Sequence, residues 1–234
     1  MSAGAWSTPL PGLLLTLGAF ELGRFVQRRA GGHPLANPVL IAALIVIALL
    51  QSLDVSYSQY AGSARFLSWL LGPATVALAV PLARELGRIS RMAWPVLVSI
   101  TLGVVTSVVS TVAIARLSGA DVVLLRSLAP KSATTPIAMG VSAQLGGAPE
   151  LTAALVVVTG IVGAVLAPWL LDLLRSREPA ERGIATGTAA HGIGTASLYR
   201  SSPAAAAYSG LAMGLAGLLT ALLTPWLLTL LASR

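Results

Sequence analysis

Val122-Val-Leu-Leu-Arg-Ser-Leu-Ala-Pro-Lys-Ser-Ala-Thr-Thr-Pro-Ile-Ala-Met-Gly-Val-Ser-Ala-Gln-Leu145 is apolar at both ends and polar in the middle. Pro130 and Pro136 each lack a backbone donor, so one helix cannot run through the tip Ala129-Pro-Lys-Ser-Ala-Thr-Thr-Pro136 undisturbed. The arms on either side are about ten residues each, half of the roughly 20 that a helix needs to cross a bilayer. The stretch therefore either crosses with a break or enters and returns.

Its surroundings are those of a membrane chain. Apolar residues make up 56% of the 234 positions and charged residues 10%, a balance that polar surface cannot cover in a water-soluble domain of this size. The other apolar runs are Pro11 to Phe25, Pro38 to Leu53, Phe66 to Ala83, Ala93 to Ala115, Leu151 to Leu174, Gly183 to Tyr199 and Ala204 to Leu231. Leu10 to Phe20 reads as a retained first helix rather than a signal peptide, because its basic residues follow it. The net charge of +7 comes from residues at the ends of apolar runs, which read as topology signals and not as a nucleic-acid face. The chain has no cysteine, which excludes disulfides, thiolate metal sites and thiol chemistry. His33 and His191 are the two imidazoles, too few to suggest zinc. No nucleophile elbow, Walker loop or dinucleotide motif is present, so no enzyme and no cofactor are expected.

Charge counting chooses between crossing and returning. With the first helix entering the cytoplasm and the stretch 122–145 returning, ten arginines face inward: Arg24, Arg28, Arg29, Arg84, Arg88, Arg91, Arg175, Arg177, Arg182 and Arg234. Arg65, Arg116 and Arg200 then lie outside. If the stretch crosses, the tally is seven against six. The excess of cytoplasmic positive charge favours the hairpin.

The expected fold is an all-α integral membrane protein, with about seven transmembrane helices plus one re-entrant helical hairpin. Residues 37–117 and 150–231 flank the hairpin 121–147 as an inverted repeat within one domain, 1–234. Gly72-Pro73 interrupts the third apolar run as His191-Gly-Ile-Gly194 interrupts the seventh. Paired broken helices of this kind hold the cargo of secondary transporters near the midplane. Small residues at helical spacing, Gly103/Ser107/Thr111, Gly163/Ala167 and Gly210/Gly214, fit close helix packing or self-association.

Lys131 carries the chemical reading. A lysine at membrane depth costs about 2.5–3.5 kcal/mol on insertion scales and must face something polar. Thr135 is placed to cap the second arm with Pro136 in its first turn. With the hydroxyls of Ser132, Thr134 and Thr135, the tip suits a carboxylate. Snorkelling to an interface is the structural alternative. His191, with Gly192, Gly194 and Thr195, has glycines that let backbone approach a ligand; its imidazole could donate to an anion, couple transport to a proton, or simply bond a carbonyl freed by the break. Pro73 and Thr75 complete the site from the third run. No Asp or Glu falls in either break, which favours anionic over cationic cargo. Glu21 is expected to pair with Arg24 or Arg28.

The blocks Leu70-Leu-Gly-Pro-Ala-Thr-Val-Ala-Leu-Ala-Val-Pro81, Pro130-Lys-Ser-Ala-Thr-Thr-Pro-Ile-Ala-Met139, Gly187-Thr-Ala-Ala-His-Gly-Ile-Gly-Thr195 and Ala212-Met-Gly-Leu-Ala-Gly-Leu-Leu-Thr-Ala-Leu-Leu223 resemble those of the LrgB/CidB family. That resemblance implies a multi-pass protein of the bacterial cytoplasmic membrane. It implies one of two activities. The first is secondary transport of short monocarboxylates such as pyruvate, glycolate or glycerate. The alternative is antiholin-like regulation of murein hydrolase activity with a small LrgA/CidA-type membrane partner. Gly140, Ala143 and Ser197 stand where relatives often carry charges, a departure that bears on the choice of cargo.

Overall fold

A computed structural model describes residues 6–31, 36–67, 69–70, 73, 87, 90–199 and 201–232, and among them there is no strand. The chain divides into two compact units, Met1–Val80 and Pro81–Arg234.

The first unit contains α1 (Pro9–Arg29), α2 (Pro38–Ser52) and α3 (Tyr57–Ser63). Proline in the first turn of α1 and α2 gives up only an amide that has no helical partner. Asn37 caps α2 by accepting from the amides of Val39 and Leu40 at 2.9 and 3.3 Å, and Ser56 with Gln59 forms a capping box on α3. The backbone amide of Gly12 donates to Ser63 Oγ at 2.8 Å, tying α1 to the end of α3. Glu21 pairs with Arg24 at 2.6 Å and lies 4.0 Å from Arg28, as expected. Of the third apolar run, Phe66, Leu67, Trp69, Leu70 and Pro73 are helical. Gly72, Thr75 and the rest of that run lie outside the described residues.

The second unit contains α4 (Ala93–Leu117), α5 (Val122–Leu128), α6 (Thr135–Leu145), α7 (Pro149–Leu173), α8 (Pro179–Leu198) and α9 (Pro203–Ala232). Among the described residues, α4, α7 and α9 are the three helices long and apolar enough to cross a membrane, by length and composition. α4 and α9 run side by side in the same direction. Val96, Ile100 and Val104 pack with Ala212 and Ala216, and further along Val108 and Val112 pack with Leu227 and Leu228. At the shared end the Arg116 guanidinium donates to the Leu231 carbonyl.

The stretch 122–145 is a helical hairpin. α5 ends at Leu128, α6 begins at Thr135, and the chain comes back to where it started. The Ala148 amide donates to Ser127 Oγ at 2.8 Å, and the Thr152 hydroxyl lies 2.7 Å from Ser142 Oγ and 3.1 Å from the Ser127 carbonyl. The cap of α6 is Thr134, not Thr135. Thr134 is extended (φ −65°, ψ 150°) and makes no side-chain cap bond, while its carbonyl accepts the first helical bond, from Ala138 at 2.9 Å.

α8 corrects the reading of the seventh run as a spanning helix with a break. His191 has φ 39° and ψ −134°, and the chain folds back there. Residues eight apart in a straight helix are about 12 Å apart along its axis, yet a Cβ on Gly194 would lie 2.8 Å from Thr186 Cγ2. Both arms meet α9 at one residue: a Cβ on Gly187 would lie 2.2 Å from the Ser209 carbonyl oxygen, and Thr195 Oγ1 is 2.8 Å from Ser209 Oγ. Residues 179–198 thus form a second hairpin, which is why α9 runs parallel to α4. The ends of α8 and α9 exchange sides relative to the sequence expectation. Arg200 and Arg234, which follow the two ends in sequence, lie outside the described residues.

Candidate functional site

The two hairpins enter the second unit from opposite ends, and their tips meet at α7. Val156 packs its side chain on Ala133 and Ala138 of the first hairpin. Its carbonyl oxygen lies 2.9 Å from His191 Nε2 at the tip of the second. A carbonyl only accepts, so Nε2 carries the proton and Nδ1 is the nitrogen left to exchange. Gly160 makes room for the ring, since a Cβ there would sit 2.5 Å from Cε1. The imidazole is 4% exposed, and the Lys131 ammonium is near enough to interact with it electrostatically.

A positive φ on a residue with a Cβ costs on the order of 1–3 kcal/mol and persists only where surroundings impose it. Here the turn of the second hairpin imposes it, and the ring's bond to the Val156 carbonyl offsets it. His191→Ala loses that bond and keeps the backbone cost, whereas His191→Gly loses the bond but adopts φ 39° freely. We expect the alanine variant to be destabilised by about 1–2 kcal/mol and the glycine variant to be the more stable of the two, as thermal unfolding of the detergent-solubilised chain will show.

Beside the tips, α4, the first hairpin and the first arm of α8 enclose a cavity of about 650 Å³. Its wall on α4 is Pro95, Ser99, Gly103 and Ser107, one face at a spacing of four. Ala185, Thr188 and Ala189 line it from α8, and Lys131 and Ser132 from the hairpin. Ser107 Oγ and Ser132 Oγ are 2.7 Å apart, fixing the tip to α4, and a Cβ on Gly103 would meet Thr188 Cγ2 at 2.9 Å. Lys131, Ser132, Ser107 and Thr188 therefore share the deep end. Met92 and Glu181 are exposed at the other end, Glu181 about 10 Å of helix before Thr188. Glu181 accepts from the Ser176 hydroxyl at 2.8 Å. The described ion pairs join Glu21 to Arg24 and Arg28, and Asp172 to Arg182; none engages Lys131.

The structure thus brings Lys131 and Ser132 into one cavity and sets His191 behind its inner end. Thr134, Thr135, Pro136, Gly192, Gly194 and Thr195 are not among the residues lining it. Thr195 is buried, its hydroxyl donating to the His191 carbonyl at 2.8 Å, so it braces the second tip. Pro73 belongs to the first unit and is exposed. Ser99, Gly103, Ser107, Glu181 and Thr188 were not read from sequence as site residues. Gly103 and Ser107 had been taken for helix-packing positions, and their spacing of four was the available signal.

These features define an all-helical membrane protein with a lysine-bearing cavity at the meeting point of two hairpins. The chain belongs to the LrgB-like family, which matches residues 16–230. It is 29% identical over 218 residues to a protein of Bacillus mycoides (strain KBAB4) named antiholin-like protein LrgB, covering 93% of this chain and 95% of that one. Proteins of the same name from Bacillus cereus (strain B4264) and Bacillus anthracis (strain CDC 684 / NRRL 3495) are 28% identical with the same coverage. No solved structure matches significantly.

Proposed function

We propose that this chain is an antiholin-like protein of the bacterial cytoplasmic membrane that restrains murein hydrolase activity together with a small LrgA/CidA-type membrane partner. The names of its relatives support the antiholin-like part of that reading. The cavity favours a second one, secondary transport of a short monocarboxylate, because a lysine at the deep end of a small-walled cavity, outside every described ion pair, has an anion as its natural counterpart. The transport reading has a carboxylate held at Lys131, with the Ser107–Ser132 hydroxyl pair beside it and the His191 imidazole behind; in the regulatory reading the two hairpin tips serve assembly with the partner.

Arg91, Arg175, Arg177 and Arg182 cluster at the end where the cavity opens, against Arg116 and Arg126 at the other, an excess that favours an opening towards the cytoplasm. The first hairpin then enters from outside and the second from inside. Access would alternate as one hairpin moves against the other.

The deciding experiment is uptake of pyruvate, lactate, glycolate and glycerate into proteoliposomes containing the purified chain, alone and with the partner. Saturable uptake with competition between related acids supports transport. No uptake of any acid, with a partner-dependent change in autolysis when the gene is deleted, supports regulation. Unsaturable leak without competition contradicts the carrier reading.

A further inference from the structure

Three buried side-chain polar atoms among the described residues have no hydrogen-bond partner: Trp6 Nε1, Thr188 Oγ1 and Thr224 Oγ1. Of their residues, Thr188 alone lines the cavity. It is 8% exposed, and its methyl group lies towards Gly103, opposite it on the cavity wall. Several other helical hydroxyls bond the carbonyl one turn back: Thr101 to Leu97 at 2.8 Å, Ser110 to Thr106 at 2.6 Å and Thr195 to His191 at 2.8 Å. Thr188 makes no such bond. An unpaired buried hydroxyl destabilises the protein, and at a residue that lines a cavity a ligand can supply the missing partner.

We propose that Thr188 is a ligand-binding residue whose hydroxyl donates to one carboxylate oxygen of an acid while the Lys131 ammonium holds the other. The inference rests on the reading of the Lys131 cavity as a carboxylate site and deepens it. Contacts relate the two groups. Gly103 touches Thr188 and Ser107 touches Ser132, next to Lys131; Gly103 and Ser107 are one helical turn apart, about 6 Å. The two side chains thus line neighbouring positions of one cavity, and a small carboxylate is the ligand placed between them. A helical threonine has two χ1 wells open to it, so the hydroxyl can turn onto a ligand without backbone movement. Because the donor comes from α8 and the ammonium from the first hairpin, a bound acid would link the two hairpins, which is what a site that senses or moves its ligand requires.

The test compares Thr188→Val, which keeps shape and loses the hydroxyl, with Thr188→Ser, which keeps the hydroxyl. Purified full-length protein is titrated with pyruvate, lactate, glycolate and glycerate while thermal unfolding is followed. We expect Thr188→Val to unfold about 2–4 °C higher than wild type without ligand, because an orphaned hydroxyl has gone, and to bind the tightest of these acids at least tenfold more weakly. Thr188→Ser should bind within threefold of wild type. Equal affinity in wild type and Thr188→Val overturns the inference while leaving the Lys131 reading intact, provided Lys131→Ala loses binding. If wild type binds none of the acids, the reading of the cavity fails and this inference with it.

Discussion

Lys131→Ala is expected to weaken carboxylate binding by about a hundredfold, roughly 3 kcal/mol, the loss typical of truncating one partner of a desolvated charge pair. The direction of its effect on stability is opposite. A lysine at membrane depth opposes insertion by about 2.5–3.5 kcal/mol; Lys131 is half-buried, and no carboxylate of the described ion pairs compensates it. The alanine variant should therefore be at least as stable and as abundant in the membrane as wild type. Lost binding with retained stability separates a functional lysine from one that ties down the turn, which would lose both. Isothermal titration of both proteins with the acid panel, beside their unfolding temperatures, reads the two quantities. If the acid binds Lys131→Ala at wild-type affinity, the ammonium does not hold it.

The second large effect is structural. Gly187 is where the second hairpin touches α9, and a Cβ there would sit 2.2 Å from the Ser209 carbonyl oxygen and 2.8 Å from Ser209 Cα. Neither atom is the free end of a side chain, so the helices must separate to admit any substituent. Gly183 repeats the contact one turn earlier, 2.3 Å from the Ala205 carbonyl oxygen. Gly187→Leu is expected to cost about 3 kcal/mol or more, seen as loss of the monodisperse peak in detergent chromatography and a lower unfolding temperature. Gly214→Leu is the control. It is exposed, and nothing lies within 4 Å of a Cβ there, so it should behave like wild type. If Gly187→Leu is as stable as Gly214→Leu, the close packing of the hairpin on α9 is wrong.

That comparison marks a limit of sequence reading. Small residues four apart announce close packing, but Gly210/Gly214 and Gly183/Gly187 look alike on paper. Gly187 was absorbed into the His191 motif, and Gly214 was given the packing role that falls to Gly187. Interruptions were more legible. Pro130 and Pro136 with the polar tip between them interrupt the helix where the hairpin turns, whereas α7 and α9 run on through Pro168 and Pro225, so the paired prolines and not proline alone were the signal. The break at His191 was also legible from its glycines, though its consequence was not. Whether a broken helix continues or turns back depends on one φ/ψ pair and on a carbonyl 35 residues away at Val156, neither of which has a local signature. Lys131 stood out because charge is rare in hydrocarbon. Thr188 did not, because a threonine in an apolar helix ordinarily satisfies itself on its own backbone, and only the coordinates reveal that this one does not.

The most direct test of the cavity uses the absence of cysteine from the chain. Ser99→Cys puts a thiol on the α4 wall between the opening and Lys131, and Leu102→Cys puts one on the outward face, where Leu102 is 61% exposed. Inside-out vesicles are treated with a negatively charged methanethiosulfonate, with and without the acid that binds tightest. Position 99 should be modified rapidly and at least fivefold more slowly with the acid present, and position 102 slowly with or without it. A thiol at 99 that reacts no faster than one at 102, or whose reaction the acid does not alter, contradicts an anion-accepting cavity at Lys131.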